Sequence, residues 1–349
     1  MLRRLLAVPV LFVLVVAGCS QDSAVVQDTS DAPSAIADTT TTAVEQTLAT
    51  AHAPSDRVTS TDDIVYLEMD GHEYLVDVYV PAGEGPWPVV VAFHGESLPK
   101  EHATNTLVAR AAAEAGMVMF VPDWVGDWRN DVDNDVESIR SIEPVYRCAM
   151  AFAQQEAAAY GGDPNRTVTY GFSAGVHPSA ILALGPEAEP TPGCLAQTPP
   201  IRPVGAVLGD GQYFQHHVMW DAAFDADPEG MLAFAATMID PTSWPADMST
   251  RFRFWAADPA THPRTFDDPR GEDGWFNQRD PGGAIRQDLD ELGQLDDGII
   301  AMSDEALLLA TRLQQAGIDA TIDMIPGPHN TIDKVPAIVA LLLDAAGPG

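Results

Sequence analysis

Residues 171–175 read Gly-Phe-Ser-Ala-Gly, between the β-branched run Arg166-Thr-Val-Thr-Tyr170 and the small, helix-compatible segment Ala174 to Leu184. Strand, G-x-S-x-G, then helix is the context in which a serine is held on a tight turn at the head of a sheet. The flanking glycines let strand and helix approach each other. A serine hydroxyl becomes a nucleophile when a neighbouring base takes its proton. His329 fits that base, in the turn Pro326-Gly-Pro-His329 after the apolar run Ile318 to Ile325. A base of this kind needs a carboxylate to fix its tautomer and stabilise the imidazolium. Asp258, three residues beyond Arg251-Phe-Arg-Phe-Trp255, is the expected acid. Asp210, after Val204 to Leu208, is a rival, as are Asp296 and Asp297 before the next helical segment. Pro88 to Phe93 reads as a fully buried strand running into His94-Gly95-Glu96-Ser97. The backbone N–H of Gly95 or Glu96, together with that of Ala174, could bind an oxyanion formed at Ser173. His94 reads as an orienting residue.

The elements that must place these groups alternate. Ile64 to Met69 and Tyr74 to Val80 are strands joined by Asp70-Gly71, a hairpin signal. After the Pro88–Phe93 strand come a helix over His102 to Ala115, closed by Gly116, and a buried strand over Met117 to Val121. A long helix follows over Ile139 to Tyr160, then the strand and helix around Ser173. Strands at Val204–Leu208, Arg251–Trp255 and Ile318–Ile325 and helices at Ser303–Ala316 and Lys334–Ala345 complete the order. Such alternation predicts an α/β fold with a mostly parallel sheet, helices on both faces and an antiparallel hairpin at one edge. Residues 210–250 carry Tyr213, Phe214, His216, His217, Trp220, Phe224, Phe234 and Trp244, and are expected to form a cap insertion. The polar stretch 259–297 also exceeds the minimal alternation.

From about Tyr74 to about Leu343 the chain resembles an α/β-hydrolase of the secreted carboxylesterase kind. Asp77-Val-Tyr-Val-Pro81, Tyr160-Gly-Gly-Asp-Pro-Asn165 and Ala316-Gly-Ile-Asp-Ala-Thr-Ile322 carry the resemblance, beside the serine and histidine motifs. It implies a serine hydrolase of carboxylic esters, with Ser173, His329 and Asp258 as triad and Ala174, Gly95 and Glu96 around the oxyanion. It also implies a preference for short or medium acyl chains, and no cofactor. Many relatives have His-Gly-Gly-Gly where this chain has His-Gly-Glu-Ser, which puts a carboxylate beside the oxyanion. Other readings are an acyltransferase or peptidase using the same triad, or a binding protein on an inactive hydrolase scaffold.

The N-terminus is a separate matter. Arg3 and Arg4 precede the apolar run Leu5 to Ala17, which ends in Val16-Ala-Gly-Cys19. This resembles a bacterial lipobox, so residues 1–18 are expected to be a signal peptide and Cys19 the lipidation site. The protein would then be exported and lipid-anchored on the outer side of the cell membrane. Residues 19–60, rich in Ser, Thr, Ala and Asp, are expected to be a disordered tether, leaving 61–349 as one catalytic domain. Three cysteines are present; with Cys19 lipidated, Cys148 and Cys194 remain as a pair suited to a disulfide in an oxidising compartment.

Of the 349 residues, 51 are acidic and 18 basic, a formal net charge of −33. Lys100 and Lys334 are the two lysines. This balance argues against nucleic acid or an anionic lipid surface as partner. The expected partner is a small or polymeric ester, and the oligomeric state stays open. Asp131-Val-Asp133-Asn-Asp135 lacks the glycine of an EF-type calcium loop, and His216-His217 diverge as neighbours, so no metal is expected.

Overall fold

Asp70 and Gly71 both have positive φ, +54° and +79°. That is the backbone a two-residue hairpin turn needs to follow the twist of its strands. It joins β1 (Val58–Met69) to β2 (His72–Pro81), which pair antiparallel. The computed structural model describes residues 57–95, 98–124, 136–185, 191–211, 213, 241–258 and 302–348. β1 starts earlier than expected: Val58, Thr59 and Ser60, assigned from composition to the tether, pair with Pro81, Val80 and Tyr79. Polar, exposed side chains are compatible with a strand whose backbone is paired along one edge.

Among the described residues eight strands form one sheet in the order β1-β2-β4-β3-β5-β6-β7-β8. The others are β3 (Trp87–Phe93), β4 (Val118–Pro122), β5 (Gly162–Phe172), β6 (Gly205–Gly209), β7 (Arg251–Ala257) and β8 (Ala320–Ile325). β2 runs antiparallel to β4, and every pair from β4 to β8 is parallel. The α-helices among the described residues are α1 (Ala103–Glu114), α2 (Val136–Glu156), α3 (Val176–Leu184), α4 (Met302–Gln315) and α5 (Val335–Ala346).

Period-two alternation divides the core into two. Val89, Val91 and Phe93 of β3 join Phe120, Leu208, Phe252 and Phe254 under α2, α3 and α4. Val90 and Ala92 join Met119, Tyr170, Phe172, Val207 and Trp255 under α1 and α5. Strands buried on both faces therefore read as unbroken apolar runs. Tyr213 and Trp244, expected in the cap, are both buried in the core on the α2 side, with Tyr213 packed on Phe254. The remaining aromatic and histidine residues expected in the cap lie outside the described residues.

Cys148 of α2 and Cys194 form a disulfide, with Cα atoms 5.6 Å apart. It fastens a short segment along the outer edge of β1, where Glu68 N–H donates to Gly193 O at 3.1 Å and Leu195 N–H to Tyr66 O at 3.0 Å. An unpaired strand edge is a template for unwanted pairing, and this segment covers part of it.

Candidate active site

Ser173 follows the last residue of β5 and has φ +55°. A left-handed serine backbone costs of order 1–3 kcal/mol and persists when its surroundings fix it. The two glycines of the motif are those surroundings. A Cβ on Gly171 would lie 2.0 Å from Gly175 O and 2.7 Å from Ser179 Oγ. One on Gly175 would lie 2.1 Å from Phe93 O. β5 can therefore turn into α3, and α3 can start against the end of β3, only where these side chains are absent.

His329 lies after β8, and it faces Ser173 and Asp210. Its Nδ1 is 2.8 Å from Asp210 Oδ2 and its Nε2 is 3.1 Å from Ser173 Oγ. A carboxylate accepts, so Nδ1 carries the proton and Nε2 is left to accept from the serine hydroxyl. The Asp210 side chain is 4% exposed. Its second oxygen accepts from Ala257 N–H at 2.9 Å, and its own N–H donates to Trp255 O at 2.7 Å. Phe172 stacks on the imidazole with ring centroids 4.8 Å apart.

The acid expected from sequence is thus corrected: the carboxylate on His329 Nδ1 is that of Asp210, not Asp258. Asp258 N–H bonds to Ile325 O, so its backbone continues the β7–β8 pairing. At the end of β6 the chain instead bends sharply, with Asp210 at φ +39°. This brings its carboxylate against the end of β7. The bend leaves no room after it, since a Cβ on Gly211 would lie 2.4 Å from Ser173 O. Asp-Gly after a buried strand was the signal that could have selected Asp210, because Asp tolerates a left-handed backbone and Gly a close approach. Asp296 and Asp297 lie outside the described residues.

Ala174 is the middle residue of the 3₁₀ turn Ser173–Gly175 that leads into α3, so its N–H belongs to a helix start that leaves donors unpaired within the helix. Gly95 stands beside the serine: a Cβ on it would be 3.2 Å from Ser173 Cβ. His94 is 3% exposed, and its Nδ1–H donates to Gly95 O at 2.9 Å. Trp124 Nε1–H donates to His94 O at 3.1 Å, bracing the same loop. Glu96 lies outside the described residues, as do Cys19, Asp131 to Asp135, His216 and His217. Among the described residues no three His, Cys, Asp or Glu side chains gather as a metal site.

Sequence reasoning missed an ion cluster around the buried Lys100, which follows this loop in the chain. Lys100 is 1% exposed, and its ammonium donates to Asp77 at 2.7 Å, Asp63 at 2.8 Å and Glu101 at 2.7 Å. Burial alone would lower its pKa, but the hydrogen bonds to Asp63, Asp77 and Glu101 outweigh it and hold the pKa above the ordinary lysine value. Burial pushes the Asp77 carboxyl up, against the opposing bond from Lys100.

Ser173, Asp210, His329 and Gly95 all stand at the carboxyl ends of parallel strands. The BD-FAE family model, an α/β-hydrolase-type esterase family, matches residues 76–193, which include Gly95 and Ser173. Among solved structures, Thermogutta terrifontis esterase 2 phosphoramylated by tabun is similar with a TM-score of 0.54 at 16% identity. That match covers 85% of this chain and 97% of the esterase. The fold is the α/β-hydrolase fold. The apo form of the same esterase gives a TM-score of 0.52 at 16% identity, over 83% of this chain and 94% of its own. A truncated carbohydrate esterase from gut microbiota gives 0.54 at 12% identity, over 84% and 99%. None of the curated proteins matches the chain.

Proposed function

We propose that this α/β-hydrolase is a serine esterase that cleaves carboxylic esters through an acyl-enzyme, with Ser173 as nucleophile, His329 as base and Asp210 as acid. The supporting observation is the unbroken hydrogen-bond chain from Ser173 Oγ through both ring nitrogens of His329 to a buried carboxylate. Ser173 Oγ attacks the ester carbonyl while His329 Nε2 takes its proton. Asp210 stabilises the imidazolium that results. The N–H of Ala174 and one from Gly95 or Glu96 bind the tetrahedral oxyanion; losing one such donor typically costs about 3–4 kcal/mol. His329 then protonates the leaving alcohol. Water, activated by the same imidazole, cleaves the acyl-enzyme and restores Ser173.

Hydrolysis of p-nitrophenyl esters across acyl lengths, beside acetylated carbohydrates, tests this reading. Short-chain activity in the wild type and its loss in Ser173→Ala are expected. A fluorophosphonate probe should label the wild type and not the variant, as an organophosphorus agent modified the similar Thermogutta esterase. Labelling with product diverted to added alcohols would favour acyl transfer. Absence of labelling in folded protein would favour a binding scaffold and sink the esterase reading.

The lipobox resemblance supports export and anchoring through Cys19. A lipid-modified Cys19 in membrane-fraction protein, and release to the medium by Cys19→Ala, are the expected results. An unmodified residue 19 in secreted protein would refute the anchor.

A further inference from the structure

In a chain with 51 acidic residues, the two lysines are both 1% exposed. Lys100 has three carboxylate partners, so its burial is accounted for. Lys334 has no carboxylate partner among the described residues. It stands directly before α5, at the helix end where the dipole disfavours a cation. Its ammonium donates to Pro328 O at 2.5 Å and lies 5.9 Å from the centre of the Trp255 ring. Burying an ammonium is costly in general, so what it holds matters.

Both of its contacts lead to His329. Pro328 O also accepts from Asn330 N–H at 2.8 Å, which closes a three-residue turn with His329 at its apex. Lys334 bonds the carbonyl that defines this turn. On its other side, Trp255 stacks on Phe172 with planes 5° apart, and Phe172 stacks on the imidazole. Trp255 can lie there because Gly209 has no side chain: a Cβ would be 2.2 Å from its Nε1. Loop and stack grip the histidine from two sides, and the ammonium bonds the loop at Pro328 and lies over Trp255 at the far end of the stack.

We propose that Lys334 is a positioning residue for His329, holding the imidazole between Asp210 and Ser173. This rests on the esterase reading for the role of His329, but not for the geometry. A misplacement of about 1 Å at a catalytic group can cost 10²-fold. Lys334→Met keeps the length and removes the ammonium.

The expected result in the full chain is a fall in kcat of about tenfold to 10²-fold, with KM changed by less than about twofold. The low-field proton resonance of His329 Nδ1–H should weaken or broaden in the same variant. Lys334→Gln, which keeps an N–H donor for Pro328, should fall between the two and serves if Lys334→Met does not fold. A purely structural lysine would instead lower the melting temperature and leave kcat and the resonance unchanged, and that outcome overturns the proposal. If the wild type proves inactive on every ester, the esterase reading fails, and the resonance in wild type against variant still decides the role of Lys334.

Discussion

Asp210 and His329, 119 residues apart in sequence, meet through a 2.8 Å hydrogen bond at the carboxyl ends of β6 and β8. β7 lies between those strands, and its Ala257 N–H holds the other Asp210 oxygen. The middle strand thus supports the acid rather than supplying it. Asp210→Asn should therefore lower kcat by about 10³–10⁴-fold, as loss of a triad carboxylate does elsewhere. Asp258→Asn should stay within a few-fold of wild type. Steady-state ester hydrolysis by both variants checks this; a larger loss at Asp258 would return the role to that residue.

Glycine at 171 and 175 is required by contact, and at 71 by backbone alone. A Cβ at Gly171 or Gly175 would meet backbone oxygen near 2 Å, whereas nothing lies within 4 Å at Gly71. Gly171→Ala and Gly175→Ala should each cost about 3 kcal/mol or more, at the upper end for overpacking. Gly71→Ala should cost about 1 kcal/mol, for its positive φ. Urea denaturation of the three variants ranks them; equal costs would contradict this division.

The Cys148–Cys194 bridge closes a 46-residue separation and pins the segment that covers β1. The double variant Cys148→Ser/Cys194→Ser should lose up to about 4 kcal/mol on the chain-entropy account. Amide exchange should rise at Leu195 and Glu68 in that variant, since both donate across the covered edge. Unchanged stability under reductant, with unchanged exchange, would show the bridge to be dispensable.

Lys100 binds its proton more tightly in the folded chain than in the unfolded one. The sign follows: its contribution is full below the unfolded lysine pKa of about 10.4 and is lost as pH rises through the higher folded value. Stability should be insensitive to this group at neutral pH and fall in strongly alkaline solution. Lys100→Met should lower stability by about 3–5 kcal/mol, because Asp77 is left buried without its partner. Lys100→Met/Asp77→Asn should recover part of that loss. Denaturation at pH 8 and pH 11 checks both points, and an alkaline decline of equal size in Lys100→Met would refute the assignment.

Much of this architecture was legible because its causes are local. Asp70-Gly71 fixes a turn, apolar runs fix buried strands, and G-x-S-x-G fixes a strand–serine–helix turn through contacts among near neighbours. His329 was legible for the same reason, as a histidine in a Gly/Pro turn behind the last strand. Asp258 was favoured over Asp210 because both follow strands, and strand ends alone do not say which carboxylate reaches the imidazole.

The sequence by itself singled out Ser173, His329 and the alternation of elements, each set by short-range sterics and hydrophobic period. Tertiary structure decided the rest. It placed β7 between β6 and β8, which aimed Asp210 at His329. It laid Gly193 to Leu195 along β1, and set Lys334 against Pro328 and Trp255. These relations join residues far apart in the chain, and their geometry depends on strand order and on how each loop bends. Spacing does not encode a bend such as the φ of +39° at Asp210.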